Sequence, residues 1–113
     1  MAVTLGQVAQ LIAIPASTTL YTQAVSMQGA NAALVSFVIS TLGGSSGLTP
    51  TLEGSNDMEN WSTITGYTQI TSAGYQVASS TSTAIAWQYV RLKLAAAAGG
   101  TIITSATIST ASL

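Results

Sequence analysis

The sequence predicts an all-β fold, a small antiparallel β-sandwich or jelly roll with an extended N-terminal arm. Short stretches rich in Val, Ile, Thr and aromatic residues alternate with turn residues about every eight to twelve positions, as in antiparallel β-proteins. The best helix candidate, residues 95–98, is too short to nucleate a helix alone and precedes two glycines. A chain of 113 residues is long enough to bury its own core as one domain.

The predicted strands follow one another along the chain. Residues 32–42 form the strongest core strand, because Val, Ile and Phe suit a pleated, half-buried surface. Residues 84–94 alternate between two faces. Residues 43–47 are predicted to form a flexible connector, since no Lys follows the glycines at the spacing of a phosphate-binding loop. The other predicted strands are 18–27, 49–54, 61–64, 68–71, 75–78 and 101–112.

Residues 1–15 precede the predicted sandwich domain, residues 16–113, as an arm or an edge strand. Their apolar residues alternate loosely, and residues 7–10 could instead form a short helix. Pro15 ends either element, because a residue before proline is pushed towards extended geometry. An uncharged arm could pack on a neighbouring subunit or complete its own sheet, and the sequence leaves both open. The arm residues with interface potential are Val8, Leu11, Ile12 and Ile14.

The composition argues against catalysis and metal binding. The chain contains no histidine, so it lacks the commonest general base, metal ligand and pH switch. It contains no cysteine, which excludes disulfides and thiolate metal sites. We therefore expect a non-enzymatic protein without a cofactor or a metal.

The low charge of the chain bears on its partners. Charged residues make up 4% of the sequence, against roughly 25% in a typical domain. Such a surface tends to associate, which favours an assembly subunit over a solitary monomer. With a net charge of -1 and only two basic residues, the chain lacks the cluster of Lys and Arg that nucleic-acid binding needs. The apolar runs are too short for a membrane span, and the N-terminus lacks the basic residues of a secretory signal, so we expect an unprocessed chain.

Residues 52–61 contain all three acidic residues and the best turn chemistry of the chain. We predict a hairpin with a turn at residues 55–57 and a return strand entered at Trp61. The three carboxylates could cluster to bind calcium or to catalyse, but a solvated hairpin tip is the favoured interpretation because no partner base exists. The residues that define this structural hairpin are Glu53, Gly54, Asn56, Asp57 and Trp61.

The aromatic residues allow two interpretations. Trp61 and Trp87 could stack on a sugar, as aromatic rings do in carbohydrate-binding modules, but packing in the core of a small sandwich is favoured. Tyr67 could extend such a sugar platform. An exposed aromatic pair flanked by Asn and Asp would favour sugar binding, whereas two buried tryptophans would count against it.

Three segments carry a resemblance to known proteins: Leu-Glu-Gly-Ser-Asn-Asp at 52–57, Asn-Trp at 60–61, and Tyr-Val-Arg-Leu at 89–92. With the Thr-rich closing strand they resemble a small β-sandwich pattern of discoidin-like (galactose-binding-like) jelly rolls. The pattern is also similar to short structural proteins of tailed bacteriophages, including decoration proteins and fibre-associated modules, which this chain matches better in length and composition. Met58 stands where the pattern has glycine, which favours a longer loop.

The resemblance implies a virion structural protein, most specifically a capsid decoration (cement) protein of a tailed phage. The implied partners are sister copies in a homo-oligomer, with a trimer favoured, and the major capsid protein or another virion protein. The implied location is the capsid surface, after synthesis in the host cytoplasm. The resemblance also places Arg91 beside the hairpin, where it can form a salt bridge with Glu53. The alternative function is a carbohydrate-binding or fibre-associated adhesion module that uses Trp61, Tyr67 or Trp87.

Overall fold

The computed structural model describes residues 3–78 and 83–112, and all regular structure in this part of the chain is β-strand. Two five-stranded sheets share one apolar core, which confirms the predicted small antiparallel β-sandwich. Within residues 3–78 and 83–112, no helix is long and apolar enough to cross a bilayer. The strands are β1 (Val3–Ile14), β2 (Thr19–Tyr21), β3 (Val25–Ser26), β4 (Ala32–Thr41), β5 (Leu48–Ser55), β6 (Ser62–Gly66), β7 (Gly74–Val77), β8 (Thr83–Ala84), β9 (Tyr89–Ala96) and β10 (Ile102–Ala111).

Strands distant in sequence are neighbours in both sheets. Sheet A has the order β1-β10-β4-β7, and β8 also pairs with β4. Sheet B has the order β2-β9-β5-β6, and β3 also pairs with β9. Every strand pairing in the described part of the chain is antiparallel. The chain therefore passes repeatedly from one sheet to the other.

The core follows from the two-residue period of the strands. Alternate residues of β9 and β10 are fully buried, and the residues between them are half-buried on the opposite face. Among the side chains whose burial the structure describes, Phe37 of β4 is the largest that is fully buried. The core residues of β5 and β9 are mainly leucines, and they share one cluster with Phe37 and the isoleucines of sheet A.

The N-terminal segment is an edge strand of its own sheet and not a helix. β1 pairs with β10 from Val3 to Ile14, with register shifts between Gln7 and Ile12. Leu11 lies within this irregular stretch at a φ of 46°. The backbone pairing shows that residues 3–14 complete sheet A, while a domain boundary at residue 15 stays a prediction.

Two predicted strands are interrupted for identifiable reasons. The predicted strand 18–27 is split into β2 and β3, because the Thr22 side chain takes over a ladder position: its Oγ1 accepts a hydrogen bond from Leu92 N at 2.9 Å. The predicted strand 84–94 begins only at Tyr89, because residues 85–88 carry the chain from β8 in sheet A to β9 in sheet B.

The predicted strand 68–71 is also a crossing segment. It connects β6 of sheet B to β7 of sheet A, and its only ladder contact in the described chain is an isolated antiparallel bridge between Ile70 and Leu48. Ile70 N donates to Leu48 O at 2.7 Å. The alternation of residues predicts extended backbone here. Because the segment passes from one sheet to the other, it stays beside β5 only long enough to form a single bridge.

The glycine-rich loop 43–47, predicted as a plain connector, packs against the turn 97–101. Ser46 N donates to Ala98 O at 3.2 Å, and Ala97 N donates to Gly47 O at 3.0 Å. A Cβ atom added at Gly100 would overlap the carbonyl oxygen of Gly43. We call these two segments the paired turns; their backbones touch because glycine leaves room for the contact.

Candidate functional site

The acidic hairpin is formed by β5 and β6, with Gly54 opposite Ser62. Ser55 organises the start of its turn: the buried hydroxyl accepts hydrogen bonds from the backbone N–H of Asp57 and Met58 at 3.2 and 2.9 Å. Met58 has a φ of 63° and so occupies the left-handed conformation that glycine ordinarily takes. The return strand begins immediately after Trp61.

The Asp57 carboxylate is used within its own turn. Its Oδ1 accepts hydrogen bonds from the backbone N–H of Asn60 at 2.8 Å and Glu59 at 2.9 Å. Its Oδ2 accepts one from Asn60 Nδ2 at 2.7 Å, and the Ser55 hydroxyl donates to Oδ1 at 2.9 Å. These bonds, led by those from the Asn60 and Glu59 backbone, hold the pKa of Asp57 well below its usual range. The carboxylate closes the turn.

The described side chains contain no group of three or more His, Cys, Asp or Glu that could hold a metal ion. Glu53 points to a different part of the sheet from the Asp57 turn, because it pairs with Arg91 across β5 and β9. Glu53 and Asp57 therefore serve separate structural contacts, and the three carboxylates do not converge on one point.

Arg91 lies between two aromatic rings on the outer face of sheet B. Its Nε is 2.9 Å from Glu53 Oε1 within the same subunit. Its guanidinium carbon is 4.4 Å from the centroid of the Tyr21 ring and 4.2 Å from that of Trp61. Both rings are within the distance at which a cation is attracted to an aromatic face. Trp61 is thus a partner of Arg91 and not the core residue that the sequence favoured.

The other aromatic candidates lie at the edge of the core. Trp87 and Tyr67 are half-buried and pack against the core cluster. A Cβ atom at Gly54 would overlap Trp87 Cγ, so glycine is required where the indole covers β5. Trp61 is also half-buried. The tryptophans therefore form neither the exposed pair that would favour a sugar platform nor the fully buried pair that would count against it.

The outer face of sheet A carries an apolar patch. Leu11, Val38 and Tyr75 have exposed fractions of 64%, 52% and 67%. Val38 is directly opposite Tyr75 on one side and Ser105 on the other, and the Leu11 backbone N–H donates to Ser105 Oγ at 3.0 Å. The three side chains thus lie in one row across β1, β4 and β7. Val77 is 39% exposed. We call Leu11, Val38, Tyr75 and Val77 the outer patch.

The arm residues singled out from the sequence have different environments. Ile14 is fully buried in the core of its own chain, and Ile12 packs against that core. Leu11 belongs to the outer patch. The side chain of Val8 lies outside the described part of the structure. Of Leu11, Ile12 and Ile14, only Leu11 is exposed and available to a partner.

The charged side chains are confined to one sheet. Arg91 and Lys93 lie on β9, and the acidic residues lie on β5 and in the turn that follows it. The strands of sheet A contain no charged residue. The sandwich is therefore asymmetric, with a sheet that carries the charges and a sheet that is neutral.

Sequence reasoning missed Tyr21 and most of the outer patch. Val38 lies in the apolar run of β4, between the buried residues Phe37 and Ile39. Because the whole run is apolar, the sequence does not show which of its residues face outward. The sequence predicts a strand at 75–78 but gives no sign that Tyr75 and Val77 lie on its exposed face. Only the registers of β4 with β7 and β10 bring these residues into one row.

Comparisons with known proteins add a likeness of fold. No protein-family model and no curated protein matches the sequence. Among solved structures, the chain is similar to a chain in the structure of the infectious bursal disease virus Gx strain, with a TM-score of 0.55 and 10% sequence identity. The match covers 96% of this chain and 31% of the viral chain, so this chain spans about a third of its length. At this identity the likeness concerns the fold alone: the protein shares an all-β architecture with part of a viral chain.

Proposed function

We propose that this protein is a non-enzymatic structural subunit of a virus particle, specifically a capsid decoration (cement) protein of a tailed phage. It would act by adhesion. The observation that carries the proposal is the outer patch on a charge-free sheet. In our proposal this face contacts sister copies, with a trimer favoured, and the assembled protein binds the major capsid protein or another virion protein at the capsid surface after synthesis in the host cytoplasm.

The outer patch has the chemistry of a surface that becomes covered. An antiparallel sheet that faces water ordinarily places polar residues outward, whereas Leu11, Val38 and Tyr75 are apolar and more than half exposed. Covering such side chains stabilises a complex by about 25 cal/mol per Å² of apolar surface. The absence of charge on sheet A means that contact carries no cost of removing ions from water.

Two further features support a place in a virus particle. The fold is similar to that of part of a chain from a virus structure, although the low identity limits this support to architecture. The segments 52–57 and 89–92 resemble phage structural proteins, and in the structure residues 52–55 of β5 pair directly with residues 89–92 of β9.

The proposal is tested by the mass of the purified protein in solution, measured by light scattering at low and high salt. We expect a stable trimer or larger species whose mass does not change with salt, because few charges take part. Val38→Lys and Tyr75→Lys each place a charge in the outer patch and should convert the assembly to monomers.

Thr63→Lys is the matched control, since it adds the same charge at an exposed position of β6 in sheet B. It should leave the mass unchanged. A wild-type protein that is monomeric at every concentration would refute self-assembly. Patch variants that still assemble, or a control variant that dissociates equally, would show that sheet A is not the interface.

A further inference from the structure

An open cavity of about 400 Å³ lies at one end of the sandwich, between the turn that follows β3 and the crossing segment that precedes β9. Its volume is within the range of small-molecule sites, roughly 300 to 1,000 Å³. One wall is formed by residues 26–30 and the other by residues 85–89. The cavity is on the side of the molecule where the acidic hairpin meets β9, since Gln88 N donates to Asn56 Oδ1 at 3.1 Å.

The two walls are held in place by backbone hydrogen bonds. Met27 N donates to Gln88 O at 2.8 Å, and Ile85 N donates to Asn31 O at 2.8 Å. The turn itself is closed by a bond from Ala30 N to Met27 O at 2.8 Å. A ligand would therefore find the shape already formed and would not have to order these segments on binding.

The lining combines apolar surface with neutral polar groups. Met27 and Ile85 are almost fully buried, and Trp87 adds an indole ring. The side-chain amides of Gln28 and Gln88 make no hydrogen bond with any other described residue, and neither does the indole N–H of Trp87. The residues that line the cavity include no charged side chain.

We propose that this cavity binds the ring of a neutral sugar. A sugar ring has an apolar C–H face that can lie on an indole and hydroxyl groups that exchange hydrogen bonds with amides, so it matches both kinds of lining. A phosphate or sulfate would require Arg or Lys, and a cation would require carboxylates; the lining supplies neither. This binding site goes beyond the proposed structural role and does not depend on it.

The chain allows a direct test, because it contains only two tryptophans and each gives its own indole N–H signal in a ¹⁵N-correlated NMR spectrum. Methyl glycosides of glucose, galactose and N-acetylglucosamine are titrated separately into the labelled wild-type protein. We expect at least one to shift the Trp87 indole signal to saturation in the millimolar range while the Trp61 signal, which belongs to the Arg91 stack, stays in place. Glycerol, which has hydroxyl groups but no ring, should produce no saturating shift.

Gln88→Ala removes one amide while the backbone of residue 88 keeps its hydrogen bonds, and it should weaken binding about fivefold. Gln23→Ala removes an exposed amide outside the cavity and should leave the affinity unchanged. The inference is overturned if none of the three glycosides moves the Trp87 signal. It is also overturned if glycerol acts equally, or if Gln88→Ala binds as tightly as the wild type.

Discussion

The Arg91 guanidinium group is paired with a carboxylate and is also in contact with two aromatic rings. The carboxylate of Glu53 accepts from its Nε, while the rings of Tyr21 and Trp61 lie against the guanidinium group. The side chains of Arg91 and Glu53 are only 23% and 12% exposed. A guanidinium group suits this environment because it is planar and weakly hydrated, and Lys cannot reproduce either property.

We predict that Arg91→Ala lowers the free energy of unfolding by about 2 kcal/mol, because it removes a charge-assisted hydrogen bond and two cation–π contacts. Arg91→Lys should recover part of this loss, since it restores the charge without the stacking surface. Urea denaturation followed by tryptophan fluorescence measures both changes.

Lys93 provides the control for this prediction. It lies two residues further along the same face of β9, is half-buried, and forms no ion pair among residues 3–78 and 83–112. Lys93→Ala should change the free energy of unfolding by less than about 0.5 kcal/mol. Equal losses in the Arg91 and Lys93 variants would mean that the stack contributes nothing specific.

The Asp57 turn predicts a dependence of stability on pH. Since the pKa of Asp57 is lowered below its ordinary value of 3.8 in the folded state, its charge stabilises the fold above that pH. The stabilisation is lost progressively as the pH falls through 3.8 and below. Asp57→Asn should melt at a lower temperature at neutral pH, and its melting temperature should fall less steeply between about pH 5 and pH 2 than that of the wild type.

Glu59→Gln separates this effect from a general change of charge. Glu59 is exposed, and its side chain makes no hydrogen bond within the described chain. Thermal melts of this variant should follow the wild-type pH profile. If the Asp57 and Glu59 variants show the same profile, the hydrogen bonds of the turn do not set the pH dependence.

The paired turns show how two loops can be fixed by their backbones. The carbonyl oxygen of Gly43 occupies the place where a Cβ atom of residue 100 would lie. Gly47 and Ala97 join the same two segments by a backbone hydrogen bond. Because the obstacle is backbone and not the end of a side chain, it cannot rotate away.

We predict that Gly100→Ala destabilises the protein by about 3 kcal/mol, since the two turns must move apart to admit one methyl group. Gly66→Ala is the matched control, because nothing lies within 4 Å of a Cβ atom at that position. It should be neutral or stabilise slightly by restricting the unfolded chain. Chemical denaturation of both variants decides the question; a Gly100 variant as stable as the control would exclude a close backbone contact.

The sequence was sufficient for most strands and insufficient for the places where the chain changes sheets. The alternating pattern of β9 and β10 is visible because one face of each strand is buried and the other is not. Residues 68–71 and 85–88 have the same composition as strands, yet they span the gap between sheets and cannot form continuous ladders. Composition does not encode which extended segment pairs and which crosses.

At the scale of the whole molecule, the candidate surfaces depend on which strands become neighbours. The salt bridge between Glu53 and Arg91 could be predicted, because the family resemblance places Arg91 beside the acidic hairpin and the two side chains have opposite charges. Leu11, Val38 and Tyr75 gave no such signal, since β1, β4 and β7 meet only after the whole of sheet A has formed. Likewise, the cavity beside Trp87 requires a turn after β3 to face a segment more than fifty residues away.

The position of β10 has a consequence for how the protein is made. β10 lies between β1 and β4 in sheet A. During synthesis, β1 and β4 therefore cannot pair with their shared neighbour until β10 has been made. At the usual speed of a ribosome this delay is on the order of ten seconds, during which both edges remain open. β1 has no charged residue to discourage pairing with another chain. Rapid synthesis should therefore increase encounters between unfinished chains, and slower production at low temperature should improve the yield of folded protein.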